Sequence, residues 1–116
     1  MSEYVLYHNP RCSKSRAALA ILREHQIQPR VVEYLKTPPD ARALKELLRK
    51  LGLKPRDILR DGEAEYAALK LDDANQRDDE LIDAIVQHPI LLQRPIVVRG
   101  NRAVVARPPD RVKELL

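Results

Sequence analysis

The sequence predicts an α/β domain: a four-stranded mixed sheet with helices on both faces. Three observations predict it. A β-prone run, an amphipathic stretch and a second β-prone run follow one another within the first 34 residues. Leucine-rich segments with helical spacing fill the middle of the chain. Two valine-rich runs then flank a glycine turn near the end. At 116 residues the chain is the length of one domain. It can bury a core without a metal or disulfide staple.

Tyr4-Val5-Leu6-Tyr7 is the first strand, stopped by Asn9-Pro10. From about Ser13 to His25, Ala17, Ala18, Ile21 and Leu22 fall on one helical face. Ile27-Gln28-Pro29 breaks that helix, and Arg30–Tyr34 is a second strand. A strand–helix–strand unit over 4–34 implies parallel strands with a right-handed crossover. Thr37-Pro38-Pro39-Asp40 starts the next helix, with Asp40 as its N-cap. Leu44, Leu47, Leu48 and Leu51 follow at i, i+3, i+4 and i+7, and Gly52 closes it. Short helical turns are expected near Pro55–Leu59 and Glu63–Leu69, and a further helix from about Asp78 to Gln87. Ile96–Arg99 and Ala103–Ala106 flank Gly100-Asn101-Arg102 as a hairpin. Arg107-Pro108-Pro109-Asp110 then opens a last helix with Val112, Leu115 and Leu116 apolar. The order is that of a thioredoxin-like (glutaredoxin-like) domain spanning 1–116, with βαβ at 4–34, helices at about 40–88 and ββα at 95–116. In such a layout Arg94-Pro95, just before the third strand, is where a cis-proline faces the active-site residue, although only ~5% of X-Pro bonds in folded proteins are cis.

Composition removes several function classes. There is one cysteine, Cys12. This excludes an intramolecular disulfide, a Cys-rich zinc site and any two-thiol redox cycle within one chain. A lone thiol suits a reducing cytoplasm. No apolar run approaches the ~20 residues of a membrane span, and Met1-Ser2-Glu3-Tyr4 does not read as a signal peptide. Net charge is +4, but acidic and basic residues are interspersed and aromatics are scarce. That argues against a nucleic-acid partner. The basic excess is mostly arginine, the residue suited to gripping oxyanions.

Cys12 sits between the first strand and the first helix. A thiol there meets unpaired backbone N–H groups and the positive end of the helix dipole. Both favour the thiolate, and Arg11, Lys14 and Arg16 add local positive charge. Cys12-Ser13-Lys14-Ser15 cannot close its own disulfide, so an oxidised or adduct form of Cys12 needs an external thiol. Ser15 could hydrogen-bond the thiolate or an oxyanion; alternatively Ser13 and Ser15 serve as helix caps. No His, Asp and Glu spacing suggests metal ligands.

His8-Asn9-Pro10-Arg11-Cys12-Ser13-Lys14-Ser15-Arg16 resembles the signature of the glutathione/glutaredoxin-coupled arsenate reductases. The resemblance continues through Tyr34–Pro39, Leu59-Arg60 and His88–Val98, and ends at Arg107-Pro108-Pro109. It implies a thioredoxin-like fold with an enlarged helical insert. It also implies that Cys12 attacks arsenate to form a thiol–arsenate adduct, and that Arg60, Arg94 and Arg107 surround the oxyanion. His8 matches a family histidine that assists the cysteine, and Asn9, Ser15 and Pro95 match supporting positions around the substrate. Glutathione is then the co-substrate and glutaredoxin the partner that completes reduction to arsenite. The resemblance implies no bound cofactor.

The chain departs from the family's best-characterised branch, which has Gly-Thr where Ser13-Lys14 stands here. Two other readings remain. A monothiol oxidoreductase acting on glutathione mixed disulfides would need Cys12 but no arginine trio. A redox-regulator module that binds RNA polymerase would ordinarily carry a Cys-x-x-Cys switch, which this chain lacks.

Overall fold

In the computed structural model, residues 3–116 are described. They fall into two compact units, residues up to Thr37 together with Arg94–Leu116, and Pro38–Gln93. The first unit carries the sheet. Its strands are β1 (Tyr4–Tyr7), β2 (Arg30–Val32), β3 (Ile96–Arg99) and β4 (Arg102–Val105). They stand in the order β2-β1-β3-β4. β1 and β2 are parallel, and α1 (Ser13–Glu24) makes the crossover between them. The other two pairings are antiparallel. This is the mixed sheet and thioredoxin-like fold that the sequence predicts.

Leu6, Val97 and Val104 pair across three strands and form one apolar row. Against it pack Ala18 and Leu22 of α1 and Val112 and Leu115 of the C-terminal segment. Fully burying a side chain such as Leu22 contributes about 2 kcal/mol. The last helix is a 3-10 helix, Pro109–Leu115, rather than an α-helix. Its two buried residues are three apart, which matches three residues per turn; Leu116 is left exposed. Tyr4 Oη and Arg99 Nη1 both donate to the Leu115 carbonyl, and the Arg99 guanidinium lies over the Tyr4 ring.

Two boundaries differ from the sequence expectation. β2 ends at Val32 because β1 offers no partner past Tyr7. The chain then turns, with the Lys36 and Thr37 N–H groups both donating to Glu33 O, and Tyr34 is fully buried in that turn. The hairpin is tighter than expected: Arg102 pairs with Arg99, leaving Gly100-Asn101 as a two-residue turn. Gly100 has φ +59°, which a residue without Cβ adopts at no steric cost.

The second unit contains α2 (Ala41–Leu51), α3 (Ala64–Ala68) and α4 (Asp78–Gln87), with 3-10 turns at Pro55–Ile58 and Pro89–Leu91. Asp40 caps α2, its Oδ1 accepting from Ala43 N–H at 2.8 Å. Gly52 ends α2 with φ +68°. α4 packs on α2 and on both 3-10 turns, burying Leu44, Leu47, Ile58, Leu81, Ile85 and Leu91. An isolated bridge pairs Leu59 with Leu92. Around it Gln93 N–H donates to Ile58 O and Arg60 N–H to Leu91 O, each at 2.8 Å.

Asp40→Ala should lower stability by about 1 kcal/mol and Asp40→Asn by only a few tenths. The midpoints of urea unfolding curves check this.

Candidate active site

Sheet register assembles the site. Tyr7 pairs with Ile96, Ile96 with Val105, and Val32 with Tyr7. The exits of β1, β2 and β4 and the entry to β3 therefore lie at one end of the sheet. That end receives His8–Cys12, Tyr34, Arg94-Pro95 and Ala106-Arg107.

Cys12 is the N-cap residue of α1, with extended backbone and a half-buried thiol. The preceding loop is folded back onto the first helical turn. Cys12 N–H donates to Asn9 O and Arg11 N–H to Asn9 Oδ1, each at 3.0 Å. Arg16 Nη1 braces the loop from outside by donating to Pro10 O at 2.9 Å. Ser15 is completely buried. Its Oγ accepts from Asn9 N–H at 3.1 Å and is hydrogen-bonded to His8 Nδ1 at 2.6 Å. The two serines are thus not caps. Cys12 holds the cap position without a side-chain cap bond, and the Ser15 hydroxyl is spent on His8 and Asn9.

The electrostatics of Cys12 are a contest. Burial pushes the thiol up. The Ser15 N–H, the Arg94 guanidinium and the Lys14 N–H act on the sulfur in the opposite sense and outweigh it. The thiol therefore ionises below its ordinary value. Burial dominates at His8: it pushes the imidazole down, with Arg23 and Arg16 adding to it against Glu33, so the ring is neutral at pH 7.

Arg94 is the second main group. Burial alone would lower its pKa, but the Cys12 sulfur and Tyr34 outweigh that and raise it. Its Nε and Nη1 are buried with no hydrogen-bond acceptor among the described residues. Arg107 is adjacent, its Nη1 donating to Arg94 O at 2.9 Å. The Arg94–Pro95 bond is cis, as the thioredoxin-like layout predicts, and Pro95 is buried with its carbonyl accepting from Ala106 N–H. Arg107–Pro108 is cis as well, which the sequence reading does not foresee.

The first unit thus brings together Cys12, His8, Asn9, Ser15, Arg94, Pro95 and Arg107. Arg60 belongs to the second unit. There it is half-buried, its Nε donating to Glu63 Oε1 at 3.2 Å. Tyr34 beside Arg94 has no assigned role in the sequence reading. The one signal for it is an aromatic residue just past a strand end, among polar neighbours. Among the described residues no group of three or more His, Cys, Asp and Glu is placed to hold a metal. No helix among them is long and apolar enough to cross a membrane.

Alkylation of Cys12 should follow a titration whose midpoint lies below that of a free thiol, because the thiolate is the reacting form. Arg94→Ala should move that midpoint upward by removing a cation. Initial rates with iodoacetamide across a pH series check both statements; an unchanged midpoint in Arg94→Ala would remove Arg94 from the account.

The chain is similar to known proteins over nearly its full length. The family model described as "ArsC family" matches residues 7–115. An arsenate reductase of Neisseria meningitidis serogroup A is 47% identical over 117 residues, covering 100% of both chains. The uncharacterised protein YfgD of Escherichia coli K12 is 46% identical over 112 residues, 96% of this chain and 94% of that one. A solved structure, an arsenate reductase from Vibrio cholerae, superposes with a TM-score of 0.96 at 45% identity, covering 99% of this chain and 98% of the other. On this match of sequence and fold, the chain belongs to the ArsC family.

Proposed function

We propose that the protein is an oxidoreductase that reduces arsenate to arsenite through Cys12, with glutathione and a glutaredoxin supplying the external thiols. One observation carries the reading: a thiolate-favouring cysteine at a helix start lies beside an arginine with two buried N–H donors and no protein acceptor for them. Such donors suit a tetrahedral oxyanion. The family relatives described as arsenate reductases supply the identity of that oxyanion.

The chemistry follows from the residues. The Cys12 thiolate attacks arsenic, an S–As bond forms, and one oxygen leaves as water after protonation. Arg94, Arg107 and Arg60 are the oxyanion ligands in this reading. Their hydrogen bonds strengthen as charge gathers on the arsenic oxygens. His8, Asn9 and Ser15 hold the loop that aims the sulfur, and Pro95 closes the site next to Arg94. Arsenic(V) accepts two electrons to become arsenic(III), and two thiols supply them by joining as one disulfide. Cys12 is the single cysteine of the chain, so the second thiol comes from outside. Glutathione fits that role, and a glutaredoxin then removes the mixed disulfide. The reading requires a compartment that keeps thiols reduced, the cytoplasm.

The test is NADPH consumption with arsenate, glutathione, glutathione reductase and a glutaredoxin. Turnover should disappear in Cys12→Ser. Arg94→Ala, Arg107→Ala and Arg60→Ala should each lower kcat/KM by roughly 10²–10³, the cost of one oxyanion donor. Turnover no greater than that of Cys12→Ser rejects arsenate as substrate. Full activity in an arginine variant rejects that arginine as a ligand.

A further inference from the structure

We infer that Tyr34 is a positioning residue whose buried hydroxyl holds the Arg94 guanidinium in place beside the Cys12 sulfur and ready for the oxyanion. The part that concerns the oxyanion rests on the reading of Arg94 as a substrate ligand. Tyr4, Tyr7 and Tyr66 are each partly exposed, whereas Tyr34 is wholly buried, its hydroxyl oxygen included. Withdrawing a phenol oxygen from water is costly unless it meets a polar group. Here that group is the Arg94 guanidinium. The Tyr34 hydroxyl and the Cys12 sulfur both act on it, against the effect of burial.

Main-chain bonds bring the two residues to the same end of the sheet. His8 N–H donates to Val32 O at 2.8 Å and ties the exit of β1 to that of β2. Past that bond the chain turns. The N–H groups of Lys36 and Thr37 donate to Glu33 O at 2.9 Å, and the Thr37 hydroxyl donates to it at 3.3 Å. Tyr34 lies inside this turn, so its ring is placed without help from its hydroxyl. The backbone at Arg94 is fixed separately. Arg94 O accepts from Arg107 Nη1, and Pro95 O accepts from Ala106 N–H. Neither bond reaches the guanidinium, which ends a long and flexible side chain. Held by its backbone alone, that side chain would spread its charge over several rotamers. The phenol restricts it at the charged end.

The donors a ligand needs are not consumed. Arg94 Nε and Nη1 are buried and have no acceptor among the described residues. An oxyanion beside Cys12 therefore meets donors that are already oriented. The sulfur gains as well, because a cation favours a thiolate only while it stays close. Tyr34 supplies a hydroxyl rather than charge or bulk. Phenylalanine should keep the ring and the fold and lose the effect.

The experiment is a mutant cycle read as the pH midpoint of Cys12 alkylation by iodoacetamide, a readout that needs no arsenate. Tyr34→Phe should move the midpoint upward, by less than Arg94→Ala moves it. In an Arg94→Ala background, Tyr34→Phe should add no further shift. With arsenate, Tyr34→Phe should lower kcat/KM about tenfold, short of the loss from removing an oxyanion donor outright. Thermal unfolding of each variant accompanies the titrations. The proposal is overturned if Tyr34→Phe leaves the midpoint unchanged or lowers it, if the shift persists without Arg94, or if Tyr34→Phe no longer unfolds cooperatively. Failure of the arsenate reading looks different: turnover is then absent in the unaltered protein, while the midpoint still moves in Tyr34→Phe.

Discussion

The antiparallel register of β1 and β3 is the constraint on which the candidate site at one end of the sheet depends. Tyr7 opposite Ile96 puts the exit of one strand beside the entry of the other. Cys12, five residues past Tyr7, and Arg94, two residues before Ile96, can then meet. β4 continues the logic through Ile96 opposite Val105, which delivers Arg107. The register is well specified because β3 is buried throughout Ile96, Val97 and Val98. A slip of one residue would exchange the faces of every side chain on that strand. It would remove Val97 from the row it forms with Leu6 and Val104, and it would carry Arg94 away from the sulfur.

The site is a balance of opposed terms rather than a sum of favourable ones. Burial disfavours a thiolate at Cys12, and two helix-start N–H groups and Arg94 overcome it. Burial opposes the cation at Arg94, and the sulfur and Tyr34 beside it more than offset that, raising its pKa. Each group makes the other's ionisation tolerable. At His8 no such partner wins, so the ring is neutral and acts through its hydrogen bond to Ser15. Ser15 then ties the loop to the first helical turn through Oγ, bonded to His8 and Asn9, while its backbone N–H favours the Cys12 thiolate.

Elements with a local cause were legible in the sequence. Asp40 and Gly52 bracket α2 because a carboxylate reaches the helix N–H groups at one end and glycine adopts the positive φ at the other without a Cβ penalty. α4 occupies Asp78–Gln87, its acidic first turn at the positive end of the dipole. Elements whose form depends on distant partners were less legible. The C-terminal segment winds as a 3-10 helix because its two buried residues meet α1 and the sheet at a spacing of three. The Ser15 hydroxyl could have capped the helix, bonded the sulfur or turned to the loop, and the position of His8 decides which. Arg60 among fourteen arginines carries no local mark at all.

The sequence by itself determined the chemistry available: one thiol at a helix start, no second cysteine to close a disulfide, and an arginine excess suited to oxyanions. These follow from residue type and short-range backbone geometry, which a chain carries wherever it folds. Tertiary structure alone decided which groups act together. Arg94 and Arg107 lie more than eighty residues from Cys12 along the chain. Only strand pairing places them at one end of the sheet, and only there does the Arg94 guanidinium come close enough to the Cys12 sulfur to favour its ionisation.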